Sequence, residues 1–390
     1  MEQTVKLHTS PGVSIPPPLS LYIHLPWCVR KCPYCDFNSH AAEVIPESAY
    51  IESLARDLEL ALPQIWGRRI QTVFFGGGTP SLFSPEGIDR ILTTVRTLTQ
   101  LEPLAEITLE ANPGTVEAGR FKGYREAGVT RVSLGIQSFD DELLGRIGRI
   151  HDGIEARQAV ELAAQTFETF NLDLMYALPG QTQAQLEADV ETAMSFHPPH
   201  LSCYHLTLEP NTPFGHAAPA NLPDDEASSH MQDWLDACLA DEGYDNYETS
   251  AFAKPRHRSR HNLNYWMFGD YLGLGAGAHG KLSFHDRIVR EMRVKHPARY
   301  MQAVQKAEHV AETRDIANKD LPFEFMMNAL RLTEGVRPEL FLQRTGLPLN
   351  VCASALKNAY ERNLLERGTD YLRPTRLGRR FLNDLLTLFL

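Results

Sequence analysis

The sequence has no apolar run near the roughly 18 residues that a membrane-crossing helix needs, so a bundle of such helices is excluded. It has no basic surplus either: Lys plus Arg number 38 against 49 Asp plus Glu, a net charge of −11. A general nucleic-acid binder carries the opposite balance, so no nucleic-acid partner is expected. Residues 1–20 show no charged segment followed by an apolar core, the pattern of a secretory signal. The expected location is therefore cytoplasmic, where thiols stay reduced. There is no internal repeat, and no low-complexity tract beyond Pro16, Pro17 and Pro18, which suggest a flexible proline-rich arm over residues 1–20. Cysteine is scarce, 6 in 390 residues, which speaks against a disulfide framework.

What is present is an ordinary globular composition, 43% hydrophobic and 22% charged, in a chain long enough for a large core. Six β-like runs recur: Leu21–Leu25, Thr72–Phe75, Glu106–Glu110, Arg131–Gly135, Asn171–Met175 and Leu201–Leu208. Helical patterns separate them at Ser48–Leu62, Glu86–Leu98, Val116–Ala127, Gly153–Gln165 and Gln183–Phe196. Strand–helix alternation predicts an α/β fold with a mainly parallel sheet, either doubly wound or an incomplete barrel. The polar stretch Glu308–Asp320 reads as a linker. Helices at Leu321–Leu332, Arg337–Arg344, Leu349–Arg362 and Leu377–Leu390, with a short strand at Tyr371–Arg373, then suggest a winged-helix-like module. The domains are thus expected at 1–20, 21–307 and 308–390.

The cysteines are uneven. Cys203, Cys238 and Cys352 stand alone and read as small hydrophobes. Cys28, Cys32 and Cys35 fall within eight residues, directly after the first strand. Three thiolates on one loop can bind zinc with His24 or His40 as fourth ligand. They can also hold an iron–sulfur cubane whose fourth iron stays open to a small molecule. Other polar residues gather at the carboxyl ends of the predicted strands, where parallel α/β folds bind ligands. Gly76-Gly77-Gly78-Thr79 follows the second strand, Glu110 ends the third, Gln137, Arg149 and His151 follow the fourth, and Asp173 lies in the fifth. The later Gly273–Gly280 segment follows no clear strand and reads as a structural turn.

The cysteine spacing and the GGGTP turn resemble the radical S-adenosylmethionine (SAM) superfamily. That resemblance implies a partial (β/α)6 TIM-like barrel, and SAM bound to the open iron of a [4Fe–4S] cluster held by Cys28, Cys32 and Cys35. The segments around Tyr22-Ile-His24, Gly135-Ile-Gln137 and Asp173-Leu-Met-Tyr176 are further similar to the anaerobic coproporphyrinogen III oxidase family. By that resemblance Tyr22, Tyr34, Gly77, Gly78, Thr79, Glu110, Gln137, Arg149 and Asp173 surround SAM. Two features depart from the decarboxylases. Phe37 stands where they carry a further cysteine, and His261-Asn262-Leu-Asn-Tyr265-Trp266 forms an HNxxYW motif. Both are similar to the HemW branch, whose members are haem chaperones.

The resemblance to that branch covers nearly the whole chain, including the C-terminal module. It implies haem as cargo, contacted by His261, Asn262, Tyr265 and Trp266. Lys254, Arg256, Arg258 and Arg260 lie just upstream, suited to propionates. The implied partners are acceptor haem proteins such as respiratory enzymes, which is compatible with peripheral membrane association. Three functions follow: a haem carrier with a SAM-ligated cluster and no catalytic residue of its own, a radical decarboxylase, and a regulator using the winged module on DNA. The acidic charge weighs against the third, and Phe37 with HNxxYW against the second. Substituting Cys28, Cys32 or Cys35 by Ser is expected to abolish the cluster; anaerobic metal analysis that finds zinc and no iron in the wild type would contradict the cubane.

Overall fold

The structure is a computed structural model that describes residues 12–115, 118–368 and 370–390. Its frame is a mixed sheet, 12-stranded among the described residues. Six strands alternate with helices: β1 (Leu19–Leu25), β2 (Arg69–Gly77), β3 (Gln100–Ala111), β4 (Arg131–Gln137), β5 (Thr169–Tyr176) and β6 (His200–His205). Between them run α1 (Glu47–Ile65), α2 (Pro85–Leu98), α3 (Ala118–Ala127), α4 (Asp141–Arg146), α5 (Gly153–Thr166) and α6 (Gln183–Ser195). All six strands run parallel in sequence order from β1 to β6. The sheet stays open, which makes this the partial (β/α)6 barrel expected from the resemblance. Local chemistry starts the helices. Ser84 accepts from the Gly87 amide with Pro85 at the first position, and Asp152–Glu155 and Thr182–Gln185 form capping boxes.

Beyond β6 the edge is finished by β7 (Asp245–Glu248) and β8 (Ala251–Ala253), both short and antiparallel, after a long helix α7 (Asp225–Asp241). On the other flank of β1 lies a seventh parallel strand, β9 (Asp270–Leu274), preceded by α8 (Arg260–Trp266). It continues into antiparallel β10 (His279–Ser283), β11 (Ile288–Arg293) and β12 (Val310–Asp315), with α9 (Pro297–Gln305) inserted before β12. β1 is thereby interior to the sheet, and six of its seven residues are buried. That is the pattern of a parallel strand covered on both faces.

Several expectations need correction. The stretch expected as a linker contains β12, paired with β11 from Val289↔Asp315 to Arg293↔Val310. Its outward side chains are polar because it is an edge strand. The segment from Gly273 to Gly280 does follow a strand, β9, and its turn lies against the end of β1: a Cβ on Gly275 would stand 2.5 Å from the His24 carbonyl oxygen. The proline-rich arm is not free where it is described. Val13 is buried, its amide donates to the Phe284 carbonyl at 3.0 Å, and Leu19 and Ser20 already belong to β1. Residues 1–11 of that arm lie outside the described residues, as do Val116 and Glu117 at the start of the third predicted helix.

The C-terminal module comprises α10 (Leu321–Ala329), α11 (Pro338–Thr345), α12 (Ala353–Glu361), α13 (Arg376–Arg380) and α14 (Leu382–Thr387). Its β part is reduced to the bridges Val336↔Leu372 and Leu365↔Pro374. The last expected helix is broken at Phe381; Leu385 and Phe389 pack inward while Phe381 and Leu390 stay exposed. Phe325 meets Phe268 and Phe341 edge-on at 5.7 and 5.2 Å, so the module's core is continuous with the residues after α8. Cys203 and Cys352 are buried as expected of small hydrophobes, and Cys238 is half-buried.

The two flanks of β1 are tied by one buried carboxylate. Asp57 of α1 accepts from Arg293 Nε at 3.1 Å, Tyr300 Oη at 2.7 Å and the Gly275 amide at 3.3 Å, and lies 2.9 Å from His309 Nε2. Burial alone would raise its carboxyl, but the Arg293 guanidinium and the His309 ring outweigh it and hold it below its ordinary 3.8. Replacing Asp57 by Ala leaves Arg293 with Glu291 alone and the Tyr300 hydroxyl without its acceptor, and is expected to cost about 1–3 kcal/mol in urea unfolding. The contribution of Asp57 is fully present above pH 3.8 and is lost as pH falls through the lowered value; an Asp57→Ala chain as stable as wild type at neutral pH would contradict it.

Candidate functional site

The cysteine loop leaves the carboxyl end of β1 and is pinned at both ends. Trp27–Cys28 pairs with His40–Ala41, and Lys31 Nζ donates to the Phe37 carbonyl at 2.8 Å. Arg149 Nη1 lies 3.7 Å from Cys32 Sγ, and Ser39 Oγ 3.9 Å from Cys35 Sγ. The Cys28 thiol reaches the hydroxyls of Thr79 and Ser39. Cys28 and Cys35 thus share Ser39 as a neighbour, while Cys32 lies against Arg149. Burial pushes the Cys28 and Cys35 thiols up, against smaller opposing effects of the Ser39 hydroxyl and the Lys31 ammonium. An iron–sulfur cubane takes cysteine thiolates, and its positive iron core favours their deprotonated form.

The glycine turn after β2 fits tightly under this loop. Gly77 has φ 116°, and a Cβ there would stand 2.6 Å from the His24 ring; one on Gly78 would stand 2.4 Å from the Trp27 carbonyl oxygen. The Gly78 and Thr79 amides donate to the carbonyls of Leu25 and Trp27 at 2.8 and 2.7 Å. Only glycine permits this approach and this backbone. Next to it, Glu110 Oε2 accepts from the Gly77 amide at 3.2 Å. Burial and then the Asp173 charge push Glu110 up to about 8, and Asp173 is raised by burial against its bonds from Asn171 and Ser133. Among the described residues neither carboxylate has an ion-pair partner. These two acids, near the end of β3 and within β5, form an acidic pair whose charged form a cationic, hydroxyl-bearing ligand would stabilise.

The other residues that the resemblance places around SAM have the following neighbours. Arg149 Nη2 donates to the Gly135 carbonyl at 2.5 Å, and the Gln137 amide approaches the same glycine. Gln137 itself adopts φ 70°, a left-handed conformation that a non-glycine residue rarely takes. Tyr34 packs beside Cys32 and Arg149, and burial raises its phenol. Tyr22 Oη lies 3.1 Å from His24 Nδ1, with its ring stacked on Phe74. His24, known from the sequence only as a zinc alternative, instead supports the glycine turn and is held by the Asn38 carbonyl at 2.9 Å.

From Tyr22, Gly77 and Glu110 a cavity of about 760 Å³ extends under the cysteine loop to α8, where Tyr265 and Trp266 line it. Phe37, 60% exposed, stands on its loop side. The buried Trp266 Nε1 has no hydrogen-bond partner among the described residues. Two of the haem contacts implied by the resemblance lie away from this wall in the structure. His261 is 1% exposed, with Nδ1 2.7 Å from Thr72 Oγ1 and Nε2 2.8 Å from Tyr265 Oη, so neither nitrogen can meet an iron in this geometry. Asn262 does not line the cavity; its amide is spent on the Ser259 cap. The basic run also points elsewhere. Arg258 pairs with Glu334 and Asp245, Arg260 donates to the Leu104 carbonyl, and Lys254 lies over Tyr244. The cavity's cations are instead Lys31, Lys281, Arg290 and Lys295, which sequence spacing did not connect to the site.

Comparison with known proteins agrees with this geometry. A family model described as the radical SAM superfamily matches residues 22–193, and one described as the HemN C-terminal domain matches residues 316–381. The heme chaperone HemW of Escherichia coli is 48% identical over 377 residues, covering 96% of this chain and 98% of that protein. The chain belongs to the HemW family. The HemW of Haemophilus influenzae is 48% identical over 381 residues, with 96% and 98% covered, and that of Bacillus subtilis 34% identical over 378 residues, with 95% and 99% covered. Among solved structures, coproporphyrinogen III oxidase (HemN) of Escherichia coli, described as a radical SAM enzyme, matches with a TM-score of 0.82 at 22% identity, covering 96% of this chain and 90% of that one. That likeness establishes the shared fold. Membership of the radical SAM superfamily implies a [4Fe–4S] cluster and SAM for HemW proteins, and the three thiols with the acidic pair fit both. No helix among the described residues is long and apolar enough to cross a membrane.

Glu110 supplies a test of the acidic pair. An acid whose folded value lies above its unfolded 4.5 destabilises the fold increasingly as pH rises from there to about 8. Glu110→Gln is expected to raise the melting temperature of ligand-free protein above that interval and leave it unchanged below it. The same variant should weaken SAM binding by roughly tenfold or more in calorimetry while keeping its iron; unchanged SAM affinity would contradict the assignment.

Proposed function

We propose that this protein is a haem carrier that binds haem in the cavity beside a SAM-ligated [4Fe–4S] cluster and passes it to acceptor haem proteins. The observation that carries the reading is the shared cavity: Tyr265 and Trp266 of the HNxxYW helix face the same space as Tyr22, Gly77 and Glu110. Aromatic rings on a wall of this size suit a flat macrocycle. Cys28, Cys32 and Cys35 would hold the cluster, whose open iron would bind SAM. Around SAM, the Gly77-Gly78-Thr79 turn admits close approach, and Glu110 and Asp173 accept from its ammonium or ribose hydroxyls. Arg149, Gln137, Tyr22 and Tyr34 wall the remainder. Tyr265 and Trp266 contact the porphyrin, while His261 acts from behind by fixing the Tyr265 hydroxyl. Acceptors such as respiratory enzymes and a peripheral encounter with the membrane belong to this same reading, as does a cytoplasmic site of action.

The alternative is oxygen-independent coproporphyrinogen III oxidation on the same fold. Phe37 at the position of the decarboxylases' further cysteine argues against it. An anaerobic assay on cluster-reconstituted protein, scoring haem uptake and porphyrinogen decarboxylation side by side, separates the two. The expected result is one haem per chain and no protoporphyrinogen; robust turnover of coproporphyrinogen without haem uptake would overturn the carrier reading.

A further inference from the structure

We propose that His279 is the imidazole that meets the haem iron, with Lys295 beside it as the partner of a propionate; this rests on the carrier reading above. Three histidines line the cavity: His24, His40 and His279. An axial ligand must offer a nitrogen lone pair to open space. His24 has both nitrogens engaged, by Tyr22 Oη at 3.1 Å and the Asn38 carbonyl at 2.9 Å. His40 Nε2 is unpartnered but shut from the surface, with the ring edge-on to His296 at 5.6 Å. His279 is exposed, and among the described residues neither of its nitrogens has a hydrogen-bond partner.

The sheet aims His279 at the cavity. It opens β10, two residues before Lys281, and alternate residues of a strand share a face. Lys281 is opposite Tyr271 on one side and Arg290 on the other. All four side chains line the cavity, so this antiparallel patch is one of its walls. The cations on the wall are not equivalent. Arg290 is held by Tyr271 Oη at 2.6 Å and Glu324 Oε2 at 2.5 Å. Lys281 is held by Asp270 at 3.1 Å and the Phe268 carbonyl at 2.8 Å, and Lys31 by the Phe37 carbonyl. Lys295 is exposed and has no anionic partner among the described residues, which leaves it for a carboxylate.

The test uses full-length, cluster-reconstituted protein titrated with ferric haem, read as absorption and electron paramagnetic resonance difference spectra against the haem-free sample. His279→Ala is expected to lose the histidine-ligated signature and to bind haem roughly tenfold more weakly. Added free imidazole should restore the signature. His261→Gln should keep the wild-type spectrum, and Lys295→Ala should weaken binding without changing it. A wild-type spectrum in His279→Ala, with haem still bound, overturns the axial assignment alone. Unchanged affinity in Lys295→Ala overturns the propionate assignment. A wild-type chain that takes up no haem overturns the carrier reading and this inference with it.

Discussion

The position of β1 governs everything else in this molecule. Because it lies inside the sheet, parallel to β2 on one side and β9 on the other, its carboxyl end opens onto both flanks. A loop leaving that end must pass over both. The cysteine loop therefore serves as the roof of the acidic pair on the β2–β5 side and as a wall of the cavity on the β9–β11 side. No hinge or second domain is needed to join the acidic pair to the cavity. Asp57 enforces the arrangement by binding α1 to the Gly275 turn, β11 and α9 at once.

Two kinds of buried acid divide the labour. Asp57 is surrounded by donors and a guanidinium, and its charge is stabilised by the fold. Glu110 and Asp173 are buried with too little compensation, and the fold pushes their protons on. Residues that satisfy themselves hold structure together, while residues left short of a partner mark where a ligand supplies it. Cys28 and Cys35, Trp266 and His279 belong to the second kind. Trp266 and His279 border the same cavity.

Much of the barrel was legible because its signals are local. Each central strand is a short apolar run between helices with helix-period patterning, and Gly77, Glu110 and Gln137 sit at carboxyl ends of strands by a rule of topology. The second half was hidden for physical reasons. β7 and β8 are three or four residues long, and β9–β12 alternate or carry edge polarity, so none stands out as an apolar run. Pairing of Lys281 with Arg290 and Tyr271 is a matter of register between distant segments, which one sequence does not display. The motif HNxxYW was visible, but the motif does not say which side chain faces ligand. On one helix Tyr265 and Trp266 point to the cavity while His261, four residues earlier, turns to Thr72. The neighbouring basic run looked purposeful by proximity in sequence, yet it is spent on Glu334, Asp245 and main-chain carbonyls.

The central claim is that porphyrin and nucleotide occupy two ends of one cavity under the cysteine loop. The crystal structure of anaerobically reconstituted, haem-loaded protein tests it most directly. The account predicts porphyrin density between Phe37 and Trp266, with the cluster on Cys28, Cys32 and Cys35 above it. Porphyrin density on the outer surface, beside Lys254 and Arg258, would contradict it.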